Sequence, residues 1–139
     1  MKAILSSLIT LGICLTPITP ILTLQPATAQ TENLSQQIEQ LRQQAQQQAR
    51  QGKPLESIET FKQLLTIARQ QQSRELEAFS LLGLGFNYNN IGQRQQALKQ
   101  YDQALLIFRE VGDRSGEATT LNNIGLVYDN IGKPTEALD

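Results

Sequence analysis

The sequence repeats itself with a period of 40 positions. Nine residues between positions 78 and 98 recur one period later; Gly85 and Tyr88, for example, return as Gly125 and Tyr128. The tetrapeptide NNIG also occurs twice, at positions 89–92 and 122–125, but this offset is shorter and the flanking residues of the two copies disagree. A repeat of about 20–50 residues is typical of architectures in which each unit buries its apolar face against its neighbours. The chain is therefore expected to stack equivalent units.

Each unit is predicted to consist of two helices. In the middle unit, the first helix is expected from about Arg74 to Ile91 and the second from about Arg94 to Val111. Ser73 and Asp113, one period apart, are predicted N-caps. Gly92 and its counterpart at position 132 are expected to stop the first helix of their units in a left-handed conformation.

The segment 30–51 contains ten glutamines but still has the pattern of a helix. Its apolar residues Leu34, Ile38, Leu41 and Ala45 follow one another at spacings of four, three and four. This spacing indicates an amphipathic helix with a Gln-rich outer face. The predicted organisation of the chain is a signal peptide at 1–29, the first helix of a degenerate unit at 30–51, its second helix at 52–73, a complete unit at 74–113 and a truncated unit at 114–139.

The N-terminal segment 1–29 has the layout of a secretory signal peptide. Lys2 precedes an apolar run, and the small residues at 27–29 predict cleavage after Ala29. A retained membrane anchor is a weaker alternative, because Pro17 follows only about 15 residues of the ~20 that a spanning helix needs. A lipidated Cys14 is weaker still, since the residue before it is large. We expect a secreted or periplasmic protein with no membrane attachment after cleavage.

The composition argues against most kinds of catalytic or cofactor site. The chain has no His, and its one Cys lies in the predicted signal peptide, so no Ser-His or Cys-His pair remains. With 12 basic and 13 acidic residues, it lacks the basic surface that nucleic-acid binding requires. Its glutamates are expected to form a solvated helix surface. We predict a protein that is not an enzyme and binds no cofactor, metal or nucleic acid.

The repeated residues resemble the tetratricopeptide repeat (TPR) family, whose pattern is Leu-Gly, Tyr, Gly, Ala, an aromatic residue and Ala. The middle unit matches it with Leu84, Gly85, Tyr88, Gly92, Ala97, Tyr101 and Ala104, and the last unit with Gly125, Tyr128, Gly132 and Ala137. The resemblance implies an all-α fold, a right-handed α-solenoid of helix-turn-helix units, with these residues packing helix against helix. The early Trp of the family is absent, and the period exceeds the usual length of about 34 residues. We expect the extra residues to extend the connection from Arg109 to Ser115.

The resemblance also implies a concave groove, lined by the first helix of each unit, that binds a protein or peptide partner. The residues predicted to line it are Leu82, Phe86, Asn89, Asn122, Asn123, Leu126 and Asp129. Asparagine suits this role because its amide both donates and accepts hydrogen bonds. Phe86 and Leu126 could equally pack between helices. The aromatic residues expected in the core are Phe61, Tyr88, Tyr101, Phe108 and Tyr128.

The leading hypothesis is a non-enzymatic scaffold or adaptor that binds a partner peptide in the groove. Two alternatives remain open. The chain is similar to secreted cyanobacterial TPR proteins and to those that carry a caspase-like CHAT peptidase, so it could be the regulatory array of a longer peptidase. It could also be a structural solenoid that self-associates through an uncovered C-terminal end, since the third unit stops shortly after its second helix is expected to begin.

Overall fold

A computed structural model describes residues 27–132 of the chain, which form five helices and no strand. The helices are α1 (Ala27–Arg50), α2 (Pro54–Gln70), α3 (Arg74–Asn90), α4 (Arg94–Val111) and α5 (Arg114–Gly132). Each helix packs against the next one along the chain, and α3 also packs against α5. This is the all-α architecture that the repeat predicts, and it is consistent with a TPR solenoid. No helix in this part of the chain is both long and apolar enough to cross a bilayer.

The predictions for the two ends of the chain lie mostly outside the described residues. This applies to the signal peptide up to residue 26 and to Ala137. α1 begins at Ala27, so the predicted cleavage site after Ala29 falls in its first turn. The Gln-rich segment then continues as one helix to Arg50.

Short turns with defined caps separate the helices. The Ser73 hydroxyl accepts a hydrogen bond from the Leu76 amide at 3.4 Å, and the Asp113 carboxylate accepts one from the Gly116 amide at 2.9 Å. Gly92 ends α3 in the left-handed region, with φ of 78°. Such caps satisfy backbone groups that a helix leaves unpaired at its ends.

Two turns differ from their counterparts one period away. Gly112 follows α4 with φ of 75°, whereas Gln72, its counterpart after α2, adopts φ of 53° without being a glycine. Gly132, the counterpart of Gly92, still belongs to α5, whereas Gly92 lies two residues beyond the last residue of α3. The stop at Gly92 is closed by the Gln93 amide donating to the Tyr88 carbonyl, and the residue equivalent to Gln93 lies outside the described part.

The residues that lengthen the repeat extend the helices, so the prediction that they extend the connection between units is wrong. α4 continues to Val111 and α5 begins at Arg114, so only two residues connect them. The last turns of α4 carry Ile107 and Phe108, which are buried with Ala78 and Leu81 of α3. Continuing the helix buries these apolar side chains, which an irregular loop would leave in water.

Small residues bring neighbouring helices into close contact. A Cβ at Gly85 would lie 2.5 Å from the Tyr101 ring, and a Cβ at Gly83 would lie 2.3 Å from the Phe61 ring. In the first unit, Ala45 occupies the place of Gly85 and is fully buried. Its carbonyl accepts a hydrogen bond from the Ser57 hydroxyl at 2.8 Å. In the degenerate unit, Ala45 and Ser57 therefore make the close contact between α1 and α2 that Gly85 and Tyr101 make between α3 and α4.

The core continues along the array but does not cover α5 on every side. Val127 is fully buried with Ala97 and Tyr101. Tyr128, predicted to be a core residue, is 60% exposed, and a Cβ at Gly125 would meet no atom of the described residues within 4 Å. Both residues face away from α4, and no helix among the described residues covers them.

An ion-pair arrangement also repeats with the period of the sequence. Glu77 at the start of α3 contacts Arg69 at 3.1 Å and Arg74 at 2.7 Å. Its counterpart Glu117 contacts Arg109 at 2.7 Å, and a second arginine at 3.7 Å. The Arg69–Glu77 pair joins α2 to α3, and the Arg109–Glu117 pair joins α4 to α5. Each of these two pairs therefore links consecutive units across a turn. These contacts help to fix how one unit sits on the next.

Candidate functional site

The first helices of the three units, α1, α3 and α5, border one groove. It consists of two adjoining clefts, of about 510 and 350 Å³. Phe79, Leu82 and Thr119 line both clefts, so the two are continuous. We refer to this surface as the α1/α3/α5 groove.

The floor of the α1/α3/α5 groove is an apolar stripe on α3. Phe79, Leu82 and Phe86 follow one another at spacings of three and four residues, which places them on one helix face. The Phe86 side chain is 45% exposed. The Phe79 ring packs against Phe61 of α2, with centroids 5.8 Å apart and planes tilted by 57°. This contact holds the stripe in place from behind.

The wall contributed by α1 is mixed in polarity. Ile38, Arg42 and Gln46 lie at successive helical turns and border the groove. The Arg42 guanidinium carbon lies 4.3 Å from the centroid of the Phe79 ring, which is cation–π geometry. Gln46 lies at the other end of the groove, where Phe86 is also found. The wall thus presents one cation and one neutral amide.

The wall contributed by α5 is polar and uncharged where it faces the apolar stripe. Thr119 and Asn123 line it at a spacing of four residues. The Thr119 hydroxyl donates to the Ser115 carbonyl at 2.8 Å, which holds its side chain in one orientation. Asn123 is half-buried, and its amide makes no hydrogen bond within the described residues.

The structure brings three of the seven predicted groove residues together, namely Leu82, Phe86 and Asn123. Asn122 and Leu126 are exposed counterparts of Leu82 and Phe86, one period later. A later helix would have to stand beside them to form a groove there, and the described residues contain none. They are therefore not part of this groove.

Asn89 and Asp129 also lie away from the α1/α3/α5 groove. Asn89 is half-buried near the end of α3, and Asp129 is exposed near the end of α5. Both lie close to the C-terminal end of their helix, beyond the level at which the three helices enclose a cleft. The prediction extended the stripe one turn too far towards the C-terminus.

The sequence reasoning missed the other half of the groove. Phe79 lies one turn before Leu82 on the same face, so extending the stripe towards the N-terminus of α3 would have found it. Ile38, Arg42 and Gln46 were missed because the predicted groove residues came only from the middle and last units and none came from α1. Their alignment with α3 depends on how the two helices pack, which no local pattern in the sequence specifies.

Within residues 27–132, no group of His, Cys, Asp or Glu is arranged to hold a metal ion. The one side chain there with a strongly displaced pKa is Tyr101, whose pKa burial raises to about 12. Tyr101 packs against Gly85 in the core and does not border the groove. The groove presents apolar, hydroxyl, amide and guanidinium groups together with the carboxylates of Glu75 and Asp113, which are groups suited to binding.

Paired helices that stack with a fixed period and share a groove define an α-helical repeat protein. Residues 76–139 match the family described as tetratricopeptide repeat. This match and the all-helical architecture together support a TPR protein. Repeats of this family are generally protein–protein interaction modules and typically not catalytic. No curated protein matches the chain.

Proposed function

We propose that this protein is a non-enzymatic interaction scaffold that holds a segment of a partner protein in the α1/α3/α5 groove. The observation that carries the proposal is the convergence of three helices on one apolar surface. Phe79, Leu82 and Phe86 form its floor, and polar side chains from α1 and α5 form its rims. A contiguous exposed apolar surface with a polar rim is typical of interaction sites.

The groove offers separate contacts for side chains and for backbone. An apolar side chain of the partner would lie against Leu82 and Phe86 and remove their exposed surface from water. The amides of Gln46 and Asn123 stand on opposite rims, and each can donate to and accept from a peptide unit. Contacts of this kind bind a segment without requiring a particular sequence at every position.

The test is a selection of dodecapeptides from a random display library on the full chain, followed by titration of selected peptides by fluorescence anisotropy. Phe86→Glu places a charge on the groove floor, and we expect it to weaken binding at least about tenfold. Leu55→Glu is the matched control, because Leu55 is 66% exposed on α2 and lies outside the groove. Equal affinities of the parent and Phe86→Glu would contradict the proposal.

We also infer that the scaffold works in a secreted or periplasmic location after cleavage behind Ala29. The layout of residues 1–29 supports this, as does the absence of Cys from residues 30–139, which oxidation would otherwise affect. Cleavage requires only the terminal turn of α1 to open, and helix ends fray readily. Mass spectrometry of the exported protein from a bacterial host should give a chain that begins at Gln30. A chain that retains Met1 would contradict the inference.

A second candidate function is self-association through α5. Leu121, Tyr128 and Ile131 are 44%, 60% and 46% exposed and lie at helical spacing on one face. Light scattering should then show a dimer or larger species that Tyr128→Glu converts to a monomer. A monomeric parent chain at high concentration would contradict this candidate. The peptidase-linked alternative rests on resemblance alone and stays a prediction.

A further inference from the structure

We infer that the α1/α3/α5 groove selects a partner segment with a single acidic side chain three positions from an apolar one. This inference rests on the proposed peptide binding and names the chemistry of the peptide. It comes from the juxtaposition of Arg42 with Phe79 on the apolar floor. The acidic side chain would contact Arg42, and the apolar one would contact Phe86.

The Arg42 guanidinium is held in place by Phe79 and has no anionic partner in the part of the chain that the structure describes. None of the ion pairs among residues 27–132 includes it, whereas Arg69, Arg74 and Arg109 each contact a glutamate. Stacking on Phe79 occupies one face of the guanidinium plane. The N–H groups at its edge make no hydrogen bond within residues 27–132, and their fork geometry matches a carboxylate. A stacked arginine therefore offers an oriented site for one carboxylate.

The spacing between the two contacts follows from the helix. Phe79 and Phe86 are seven positions apart on α3, which is about 10 Å along the axis. An extended peptide covers about 10 Å in three residues. Gln46, one turn after Arg42, lies on the rim at the end of the groove where Phe86 is found. An acidic residue and an apolar residue three positions apart would thus reach Arg42 and Phe86 together.

The cleft that contains Arg42 also limits how many acidic residues the bound partner segment can carry. Glu75 and Asp113 line the cleft that contains Arg42, and neither makes an ion pair within the described residues. Their carboxylates would repel a second acidic side chain bound in the same cleft. The groove is therefore suited to one carboxylate beside an apolar residue and not to an acidic run.

The test compares dodecapeptides selected on the parent full chain with those selected on Arg42→Gln and on Arg50→Gln. Arg50 is the matched control because it is exposed at the end of the same helix and lies outside the groove. We expect one Asp or Glu, three positions from an aromatic or aliphatic residue, to be enriched on the parent and on Arg50→Gln. This enrichment should be lost on Arg42→Gln.

Titrations then measure the preference directly. Replacing the acidic residue of a selected peptide by Gln should weaken binding to the parent roughly fivefold to tenfold and leave binding to Arg42→Gln unchanged. Phe79→Leu keeps the floor apolar but removes the stack, so the preference should also fall. Adding two neighbouring Glu residues to the peptide should not strengthen binding.

Each outcome separates this inference from the proposed function. Acidic enrichment that persists on Arg42→Gln, or its absence on the parent, overturns the inference. If the selected peptides still lose affinity for Phe86→Glu, the groove remains the binding site. If they bind Phe86→Glu and Arg42→Gln as they bind the parent, or if no peptide is enriched on the parent, both fail. Circular dichroism of each variant verifies that the helices are retained.

Discussion

The backbone of Gly85 lies directly against the ring of Tyr101, so that a Cβ at position 85 would be 2.5 Å from the Tyr101 Cδ1 atom. A real Cβ does not approach a ring carbon so closely. Tyr101 is also 1% exposed and has little room to move away. The contact between α3 and α4 therefore depends on glycine at this position.

Gly85→Val should lower the free energy of unfolding by about 1–3 kcal/mol through overpacking. Gly125→Ala is the control, since it occupies the equivalent position on α5, where a Cβ meets no atom of residues 27–132 within 4 Å. Alanine there should raise the free energy of unfolding by about 0.5–1 kcal/mol, because it favours the helix. Urea denaturation measures both, and equal effects of the two changes would contradict the assigned contact.

Asn123→Ala should weaken the binding of selected peptides by about threefold to tenfold, because it removes a backbone-pairing amide from the rim of the groove. Asn122→Ala should leave the affinity unchanged, since Asn122 is exposed outside the groove. Anisotropy titrations of the two variants make the comparison. The reverse order of effects would place the binding surface on the other side of α5.

The stability of the protein should fall at alkaline pH because of Tyr101. Burial raises the pKa of its phenol from 10.0 to about 12, so the unfolded chain releases this proton at a lower pH than the folded chain does. The stabilisation is complete below pH 10 and is lost as the pH rises from 10 to 12. Tyr101→Phe cannot titrate, so its free energy of unfolding should decline less over that interval. Parallel declines of the two proteins would refute this assignment.

The ion pair between Arg109 and Glu117 should contribute measurably to stability. Its N–O distance is 2.7 Å, and the Glu117 side chain is only 18% exposed. A double-mutant cycle with Gln at both positions should give a coupling free energy of about 0.5–1 kcal/mol that decreases in salt. The matched cycle at Lys62 and Glu59, which are 49% and 68% exposed, should give less than about 0.5 kcal/mol. A larger coupling at the second pair would show that burial does not distinguish them.

Gln72→Gly should stabilise the protein by about 0.5–1 kcal/mol, because glycine adopts a left-handed backbone without a steric penalty. Gln72 has φ of 53°, and its counterpart one period later is Gly112. The reciprocal change Gly112→Gln should destabilise by a similar amount. Thermal unfolding of both variants provides the measurement, and a destabilised Gln72→Gly would mean that the Gln72 side chain contributes a contact that outweighs the strain.

Local sequence signals predicted the ends of some helices correctly and the end of α4 inconsistently. The caps at Ser73 and Asp113 and the glycine stop at Gly92 are chemical requirements of single turns, so sequence spacing was enough to find them. The predicted end of α4 at Val111 agrees with the structure, whereas the predicted connection from Arg109 to Ser115 overlaps the end of this helix. That assignment came from comparison with a shorter repeat, whereas burial of Ile107 and Phe108 keeps the segment helical.

The sequence by itself determined the repeat period, the all-α class and the close approach at Gly85, because each depends on residues at a fixed spacing along one or two helices. Only the tertiary structure decided which side chains share the groove. Arg42 and Phe79 are 37 positions apart, and Phe86 and Asn123 are separated by the same interval. Their meeting depends on the rotation and offset of one whole unit on the next, which the packed core sets and no short pattern records.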